Sequence, residues 1–214
     1  MPFIVFEGLD GSGKSTLIRG LETHLKSKGH SVVVTREPGG TPLGEELREL
    51  VTSKEKQAPT PRAEALLYQA IRAQHVDLVI EPSLKAGVWV LCDRFRASSV
   101  AFQGGARGID VAAIEWLNDF STQSLRPGLT VLLDLTVQES SKRLAKRYES
   151  GEESLDRFES EKTDFHERVR ASYLAQAKLP ENKDSWLVLD SSKSPEDLLT
   201  ELLHSLDSKK FGEI

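Results

Sequence analysis

Residues 8–15 read Gly-Leu-Asp-Gly-Ser-Gly-Lys-Ser and fit the pattern G-x-x-x-x-G-K-[ST], a glycine-rich turn between a strand and a helix. Such a turn points successive backbone N–H groups at phosphate oxygens, and the helix that follows adds its positive N-terminal end. Lys14 is expected to reach the β- and γ-phosphates of a nucleotide, and the Ser15 hydroxyl to ligate Mg²⁺. The predicted nucleotide site contains Gly8, Gly11, Ser12, Gly13, Lys14, Ser15 and Thr16.

Short apolar runs recur along the chain and are separated by longer segments with helical periodicity. The runs are rich in Val, Ile, Leu and Phe and lack polar alternation, which is typical of strands covered on both faces. They occupy residues 3–6, 32–35, 88–92, 129–135 and 186–189. The pattern predicts an α/β fold with helices on both faces of the sheet and a ligand crevice at the carboxyl ends of the strands.

Four helices are predicted between these strands. One spans 14–28 and stops before Gly29, a second spans 61–85 with proline at its first position, and a third runs from a capping box at 136 to about 148. The last begins at Ser194 and carries leucines on one face. Since there is no internal repeat or linker, we expect one domain over residues 1–214.

Composition excludes several classes of protein. The 214 residues include 28 Lys and Arg against 33 Asp and Glu, a formal charge of −5, which argues against a nonspecific nucleic-acid-binding protein. The only cysteine, Cys92, is expected to be a core residue, so neither a disulfide nor a cysteine zinc site is predicted. No apolar stretch is long enough for a membrane span, and no signal peptide is recognisable. We therefore expect a soluble cytoplasmic protein.

Two further strand ends carry groups suited to anionic ligands. The third apolar run ends in Asp93, a carboxylate that can approach Mg²⁺ opposite Ser15, and Arg94 follows it. The second run ends near Arg36, ahead of a Pro-Gly-Gly turn. The two arginines are expected to clamp a second phosphate. A guanine-reading N-K-x-D motif is missing, so a kinase for a phosphorylated acceptor is favoured over a GTPase.

Five motifs in order give the chain a resemblance to the thymidylate kinase family. They are FEGLDGSGKST (6–16), TREPGGTPLGEELR (35–48), ALLYQAIRAQH (65–75), DRFRASSVAFQGGARGID (93–110) and LDRFE (155–159). The resemblance implies a P-loop nucleoside monophosphate kinase fold with a five-stranded parallel sheet. It also implies Mg²⁺-dependent transfer of the γ-phosphoryl group of ATP to dTMP, usually by a homodimer.

The resemblance assigns the acceptor site residue by residue. Tyr68 stands where the family usually stacks phenylalanine on thymine, and Arg72, one helical turn on, is expected to donate to thymine O4. Ser99 and Gln103 are expected to read the rest of the pyrimidine edge, where polar contacts discriminate strongly between bases. The predicted dTMP site contains Asp10, Arg36, Arg48, Tyr68, Arg72, Arg94, Ser99 and Gln103.

The resemblance also implies an arginine-bearing lid at about 143–158. The P-loop has no basic side chain at 11–13, so the family branch that supplies the arginine from the lid is favoured. We expect Arg147 to act on the transferring phosphoryl group, Arg143 to pack on adenine and Arg157 to assist, with Lys146 solvated. The expected catalytic set is Lys14, Arg94, Arg147 and Arg157, and eight basic residues are expected to make the crevice strongly basic. The acidic flap around 149–155 departs from the compact family form.

Two alternatives stay open at this point. One is a related P-loop kinase for another nucleoside monophosphate or a deoxynucleoside, which the change to Tyr68 allows. The other is a nucleotide-binding regulator without turnover. The presence of Lys14, Asp93 and the lid arginines argues against it.

Overall fold

A computed structural model of the chain describes residues 2–54, 57–149 and 156–208. Its sheet has five parallel strands in the order β2-β3-β1-β4-β5, so the first strand lies at the centre. All five predicted strands are confirmed, with ends that differ by one or two residues. They are β1 (Phe3–Gly8), β2 (Val32–Arg36), β3 (Trp89–Asp93), β4 (Leu129–Asp134) and β5 (Trp186–Asp190).

Burial differs between the central and the outer strands. The central strand β1 is buried throughout, as its apolar sequence predicts. The prediction that every strand is covered on both faces is wrong for the edges, because Val34 of β2 is 44% exposed and Val188 of β5 is 46% exposed. An apolar run in a short edge strand therefore cannot be told from a central one by its sequence.

Nine α-helical segments surround the sheet in the described part of the chain. The predicted helix 61–85 is present, but its middle turn is a π-helix at Val76–Ile80. The helices over 42–52, 111–122 and 163–177 were not among the predicted elements. The segments are α1 (Lys14–Ser27), α2 (Pro42–Thr52), α3 (Pro61–His75), α4 (Glu81–Lys85), α5 (Arg96–Ser99), α6 (Val111–Thr122), α7 (Val137–Glu149), α8 (Thr163–Ala177) and α9 (Pro195–Ser208).

Helices cover both faces of the sheet, as predicted. Alternate residues of β1 enter different clusters, so Phe6 packs with the leucines of α1 and α9, whereas Val5 packs with Val76 and Ile80. Cys92 of β3 belongs to the second of these clusters and is fully buried, as predicted. Its thiol donates a hydrogen bond of 3.1 Å to the backbone carbonyl of Arg94. None of the helices in the described ranges is long and apolar enough to span a membrane.

Candidate active site

The glycine-rich turn connects β1 to α1 in the conformation that its sequence predicts. Gly8 has φ +139°, and a Cβ there would lie 2.5 Å from the carbonyl oxygen of Leu133 on β4, so this position requires glycine. Lys14 begins α1 and folds back over the turn, where its Nζ donates to the carbonyls of Gly8 (3.4 Å) and Leu9 (3.2 Å). Burial lowers the pKa of Lys14. The turn thus forms a cradle closed over by its own lysine.

A crevice of about 600 Å³ opens beside this turn at the carboxyl ends of the strands. Its position is the one that the alternation of strands and helices predicts. Residues from the P-loop, from the ends of β2 and β3 and from the lid segment meet in it. The predicted site residues that line it are Asp10, Gly11, Gly13, Lys14, Ser15, Thr16, Arg36, Arg48, Asp93, Arg94 and Arg147.

Four of the five basic side chains of the crevice lie within 4.0 Å of a carboxylate, and the fifth, Arg48, donates to the backbone carbonyl of Pro38. Arg94 donates to Asp10 at 2.8 Å, and Arg36 donates to Glu45, also at 2.8 Å. Burial acts to raise the pKa of Asp10, but the charges of Arg94 and Lys14 outweigh it and lower the pKa to about 2. The expectation of a strongly basic crevice is wrong for its lining as a whole. Its five basic side chains are matched by Asp10, Glu37, Asp93, Asp156 and Glu159.

The backbone of Arg94 has a conformation that few residues other than glycine adopt. Its φ is +70°, a left-handed backbone that is costly for a residue other than glycine. The buried carboxylate of Glu7 accepts hydrogen bonds from the backbone N–H groups of Phe95 and Ser98, and also from the hydroxyl of Tyr173 at 2.8 Å. Burial raises the pKa of Glu7. Glu7 therefore anchors the backbone that follows Arg94.

Asp93 presents an oxygen suited to a cation. Its Oδ1 is buried without a hydrogen-bond partner and lies 3.9 Å from Nζ of Lys14. In the described ranges, no three His, Cys, Asp or Glu side chains come together as a metal cage. One carboxylate at a phosphate crevice is nevertheless what Mg²⁺ requires when phosphates and water supply its other ligands. The donor set therefore fits a nucleotide-bound Mg²⁺.

A narrow cavity adjoins the crevice and is lined by three of the four residues expected to bind the base. Tyr68, Arg72 and Gln103 line it together with Arg94. Tyr68 packs edge-on against Phe158, with 6.0 Å between ring centroids, and burial raises the pKa of its phenol, so this side chain stays neutral. Phe102 completes the apolar part of the wall. A flat and largely apolar ligand group fits between these walls.

Arg72 is a buried residue, with 1% of its side chain exposed. Nε donates to Glu37 at 2.7 Å, while Nη1 donates to Asn118 at 2.7 Å and to Ser99 at 2.9 Å. Ser99 lies behind the guanidinium and is not among the residues that line the cavity. This network fixes the guanidinium plane before any ligand binds.

Glu37 connects the hydrogen-bond network of Arg72, through His75, to the edge strand β2. Its second oxygen lies 3.0 Å from Nδ1 of the fully buried His75, and Nε2 of His75 lies 2.7 Å from the hydroxyl of Thr35. A Cβ at Gly40 would lie 2.6 Å from the His75 ring, so the Pro-Gly-Gly turn leaves room for this imidazole. The turn therefore supports the arginine network as well as the crevice.

The three arginines of the lid segment lie at three different places. Arg143 donates to the carbonyls of Gly11 (3.3 Å) and Ser191 (2.9 Å), beside the P-loop. Arg147 lines the crevice and donates to Glu159 at 2.8 Å. Arg157 points away from the crevice and donates to the carbonyl of Val51 and to Glu64. The flap residues 150–155 lie outside the described residues.

Three buried carboxylates near the site were missed by sequence reasoning: Glu7, Glu37 and Glu64. Glu7 carried a usable signal, because a charged residue between the apolar run 3–6 and the glycine-rich turn has to be paired when it is buried. Glu64 and Glu37 carried no such signal. One lies in an amphipathic helix and the other in a turn, where charged residues are ordinarily exposed.

Comparison with known proteins gives consistent matches over almost the whole chain. The family described as thymidylate kinase matches residues 6–202. A thymidylate kinase of Bdellovibrio bacteriovorus is 54% identical over 210 residues, which cover 98% of this chain and 97% of that protein. Thymidylate kinases of Geotalea daltonii (46% identical, 91% of each chain) and Thermosipho africanus (44% identical, 94% of each chain) are also similar.

Proposed function

The chain belongs to the thymidylate kinase family, whose reaction passes the γ-phosphoryl group of ATP to dTMP, and we propose that the crevice and the adjoining cavity together form its active site. The chain is an enzyme that converts ATP and dTMP to ADP and dTDP. One observation carries the assignment of the site. The phosphate-binding crevice and the narrow cavity that contains Tyr68 share Arg94 and Glu37 in their walls.

The P-loop would hold the ATP phosphates, and arginines across the crevice would hold the phosphate of dTMP. Lys14 and the backbone N–H groups at 11–16 face the first of these positions, while Arg36, Arg48 and Arg94 line the second. Each of these arginines can exchange its present acceptor for a phosphate oxygen. Asp10 would accept a hydrogen bond from the sugar 3′-hydroxyl, and Arg143 would pack on adenine from its place beside Gly11.

The narrow cavity would receive thymine. Tyr68 offers an aromatic face. Arg72 would donate to the O4 carbonyl through the second N–H of Nη2, because its other N–H groups already pair with Glu37, Asn118, Ser99 and Phe95. Gln103 adds an amide on the same cavity wall. These groups distinguish thymine from cytosine, because a mismatched base leaves buried polar groups without partners.

Ser15 and Asp93 would hold Mg²⁺ together with the ATP phosphates. When bound, the ion neutralises charge on the phosphates. Lys14 and Arg94 both line the crevice and lie within 4.0 Å of the same oxygen of Asp10, so their positive charge would face the negative charge of the transition state of phosphoryl transfer. The carboxylate of Asp93 also offsets part of the lowering of the Lys14 pKa that burial causes. These side chains would position the two nucleotides rather than react covalently.

The lid at about 143–158 would complete the site within a single domain. Arg147 lies in the crevice wall and would exchange Glu159 for the transferring phosphoryl group, while closure would exclude water as a competing acceptor. Arg157 would assist only if it left Val51 and Glu64. We therefore assign the main catalytic role of the lid to Arg147 rather than to Arg157.

A homodimer is the proposed assembly. Trp116 and Phe120 of α6 stack with 5.9 Å between ring centroids and are 67% and 74% exposed. Large aromatic side chains exposed together on one helix are typical of protein interfaces. Sedimentation of the wild type and of Trp116→Ser would test this assembly, because the variant is expected to sediment as a monomer.

The proposed reaction is tested by ADP release in the presence of ATP and Mg²⁺. A panel of dTMP, dUMP, dCMP, dGMP and thymidine identifies the acceptor. Rapid ADP release with dTMP, slower release with dUMP and very little with the others are expected. Preference for another acceptor would reject the assignment of the base cavity, and ADP release that no acceptor increases would reject the kinase reaction.

A further inference from the structure

Glu64 is a buried carboxylate to which the proposed reaction gives no role. It lies in the first turn of α3 and is 1% exposed. Its Oε1 accepts a hydrogen bond of 3.0 Å from Nε2 of Gln103 and lies 3.4 Å from Nε of Arg107, while Oε2 accepts from Nη2 of Arg157 at 2.8 Å. Two arginines therefore pair with this carboxylate in a buried place.

A carboxylate paired with two arginines has consequences for the amide that it contacts. It accepts hydrogen bonds and donates none, so only the NH₂ group of Gln103 can face Glu64. A glutamine side chain otherwise has two nearly isosteric orientations, one presenting a donor and the other an acceptor. Gln103 is 2% exposed and lines the base cavity. Glu64 thus leaves the carbonyl oxygen of Gln103 as the group available to a base.

We propose that Glu64 is a positioning residue that sets the preference for thymine over cytosine by fixing the orientation of the Gln103 amide. This inference rests on the proposed function, in which the base of dTMP occupies the cavity. Thymine carries a donor at N3, which a carbonyl oxygen accepts, whereas N3 of cytosine is an acceptor and would face that oxygen lone pair to lone pair. The discrimination therefore depends on a residue that is itself outside the cavity lining.

A purely structural role for Glu64 makes a different prediction. If the carboxylate only pairs Arg107 and Arg157, its loss would lower stability and turnover for every acceptor to the same extent. If it orients Gln103, its loss would change the ratio between two acceptors that differ at N3. The pair dTMP and 5-methyl-dCMP suits this purpose, because the two bases differ only at the N3 and C4 positions.

The experiment measures kcat/KM for both acceptors, and the inhibition constant of 5-methyl-dCMP against dTMP, in the wild type and in Glu64→Gln. The amide at position 64 can pair with either face of Gln103, so the preference for dTMP is expected to fall about tenfold, mostly through KM for dTMP, with KM for ATP unchanged. Asp134→Asn is the matched control, because it loses a carboxylate held by Arg170 through bonds of 2.7 and 2.9 Å outside both cavities. An unchanged preference in a folded Glu64→Gln enzyme would overturn the proposal.

A double-mutant comparison tests whether the effect of Glu64 on the preference for dTMP depends on Gln103. In a Gln103→Leu background, Glu64→Gln is expected to cause no further loss of preference, and an additional tenfold loss would overturn the proposal. If Glu64→Gln does not fold, Glu64→Asp keeps an acceptor-only group, and it must keep the dTMP preference if the proposal holds. Failure of the wild type to use dTMP would instead reject the proposed function.

Discussion

The phosphate crevice and the base cavity share Arg94 but hold their functional groups in different ways. In the crevice, Arg36 is 52% exposed and is paired with a carboxylate, Glu45, that is also largely exposed. In the cavity, Arg72 is 1% exposed and Gln103 is 2% exposed, and the acceptors around them are buried as well. The exposed pair in the crevice can therefore separate when a ligand binds, whereas the buried groups of the cavity keep their hydrogen-bond partners.

The difference follows from the chemistry of the two ligand parts. A phosphate is charged and strongly hydrated, so carboxylates such as Asp10 and Glu159 can occupy its place and be displaced by it. A base is neutral and is recognised by a few donors and acceptors, so these have to point correctly beforehand. Substitutions in the crevice are therefore expected to change kinetic constants, whereas substitutions in the cavity should also change stability.

The largest expected effect is on turnover and comes from the crevice. Arg147→Ala should lower kcat by about 10³-fold with KM for dTMP changed by less than about threefold, because this charge is needed in the transition state. Steady-state kinetics check the prediction, and exposed Lys146→Ala on the same helix is the matched control. Near-normal turnover would remove Arg147 from catalysis.

A large effect on stability is expected from the cavity. Arg72→Met removes the guanidinium that donates to the buried carboxylate of Glu37 and to Asn118, so the free energy of unfolding should fall by about 3–5 kcal/mol. Denaturant titration measures this loss. Adding Glu37→Gln should recover part of the stability but none of the dTMP binding, and recovery of binding would mean that the guanidinium does not contact the base.

An intermediate effect separates affinity from stability in the crevice. Arg36→Ala should raise KM for dTMP about tenfold through the loss of a charged hydrogen bond to phosphate. The free energy of unfolding should change by less than about 1 kcal/mol, because the pair with Glu45 is exposed. Exposed Arg19→Ala is the control, and an unchanged KM for dTMP would remove Arg36 from the clamp.

The smallest effect concerns acid stability. The pKa of Asp10 is lowered to about 2, so its ion pairs stabilise the fold above about pH 4 and are lost as the pH falls towards 2. Asp10→Asn should cost about 1–2 kcal/mol at pH 7, and the difference from the wild type should disappear between about pH 4 and pH 2. A difference that persists at pH 2 would contradict the pairing with Arg94.

The crevice was far more predictable from the sequence than the cavity. The P-loop has a fixed spacing that dictates its conformation, so Lys14 and Ser15 could be located before the fold was known. The burial of Arg72 could not be foreseen, because Glu37 and Asn118 lie 35 and 46 residues away from it in the sequence. Long-range pairs of this kind leave no local pattern. The hydrogen-bond partners of Arg143 and Arg157 could not be foreseen for the same reason.

The burial of Cys92 has a practical consequence for following the lid. This thiol is the only one in the sequence, it is fully buried, and burial raises its pKa well above the ordinary value. Since maleimides react with thiolates at accessible positions, the native protein should label very slowly. A single fluorophore introduced through Lys146→Cys would then report on helix α7, where the lid segment begins, with almost no background from labelling at Cys92. Cys92 itself would not need to be replaced first.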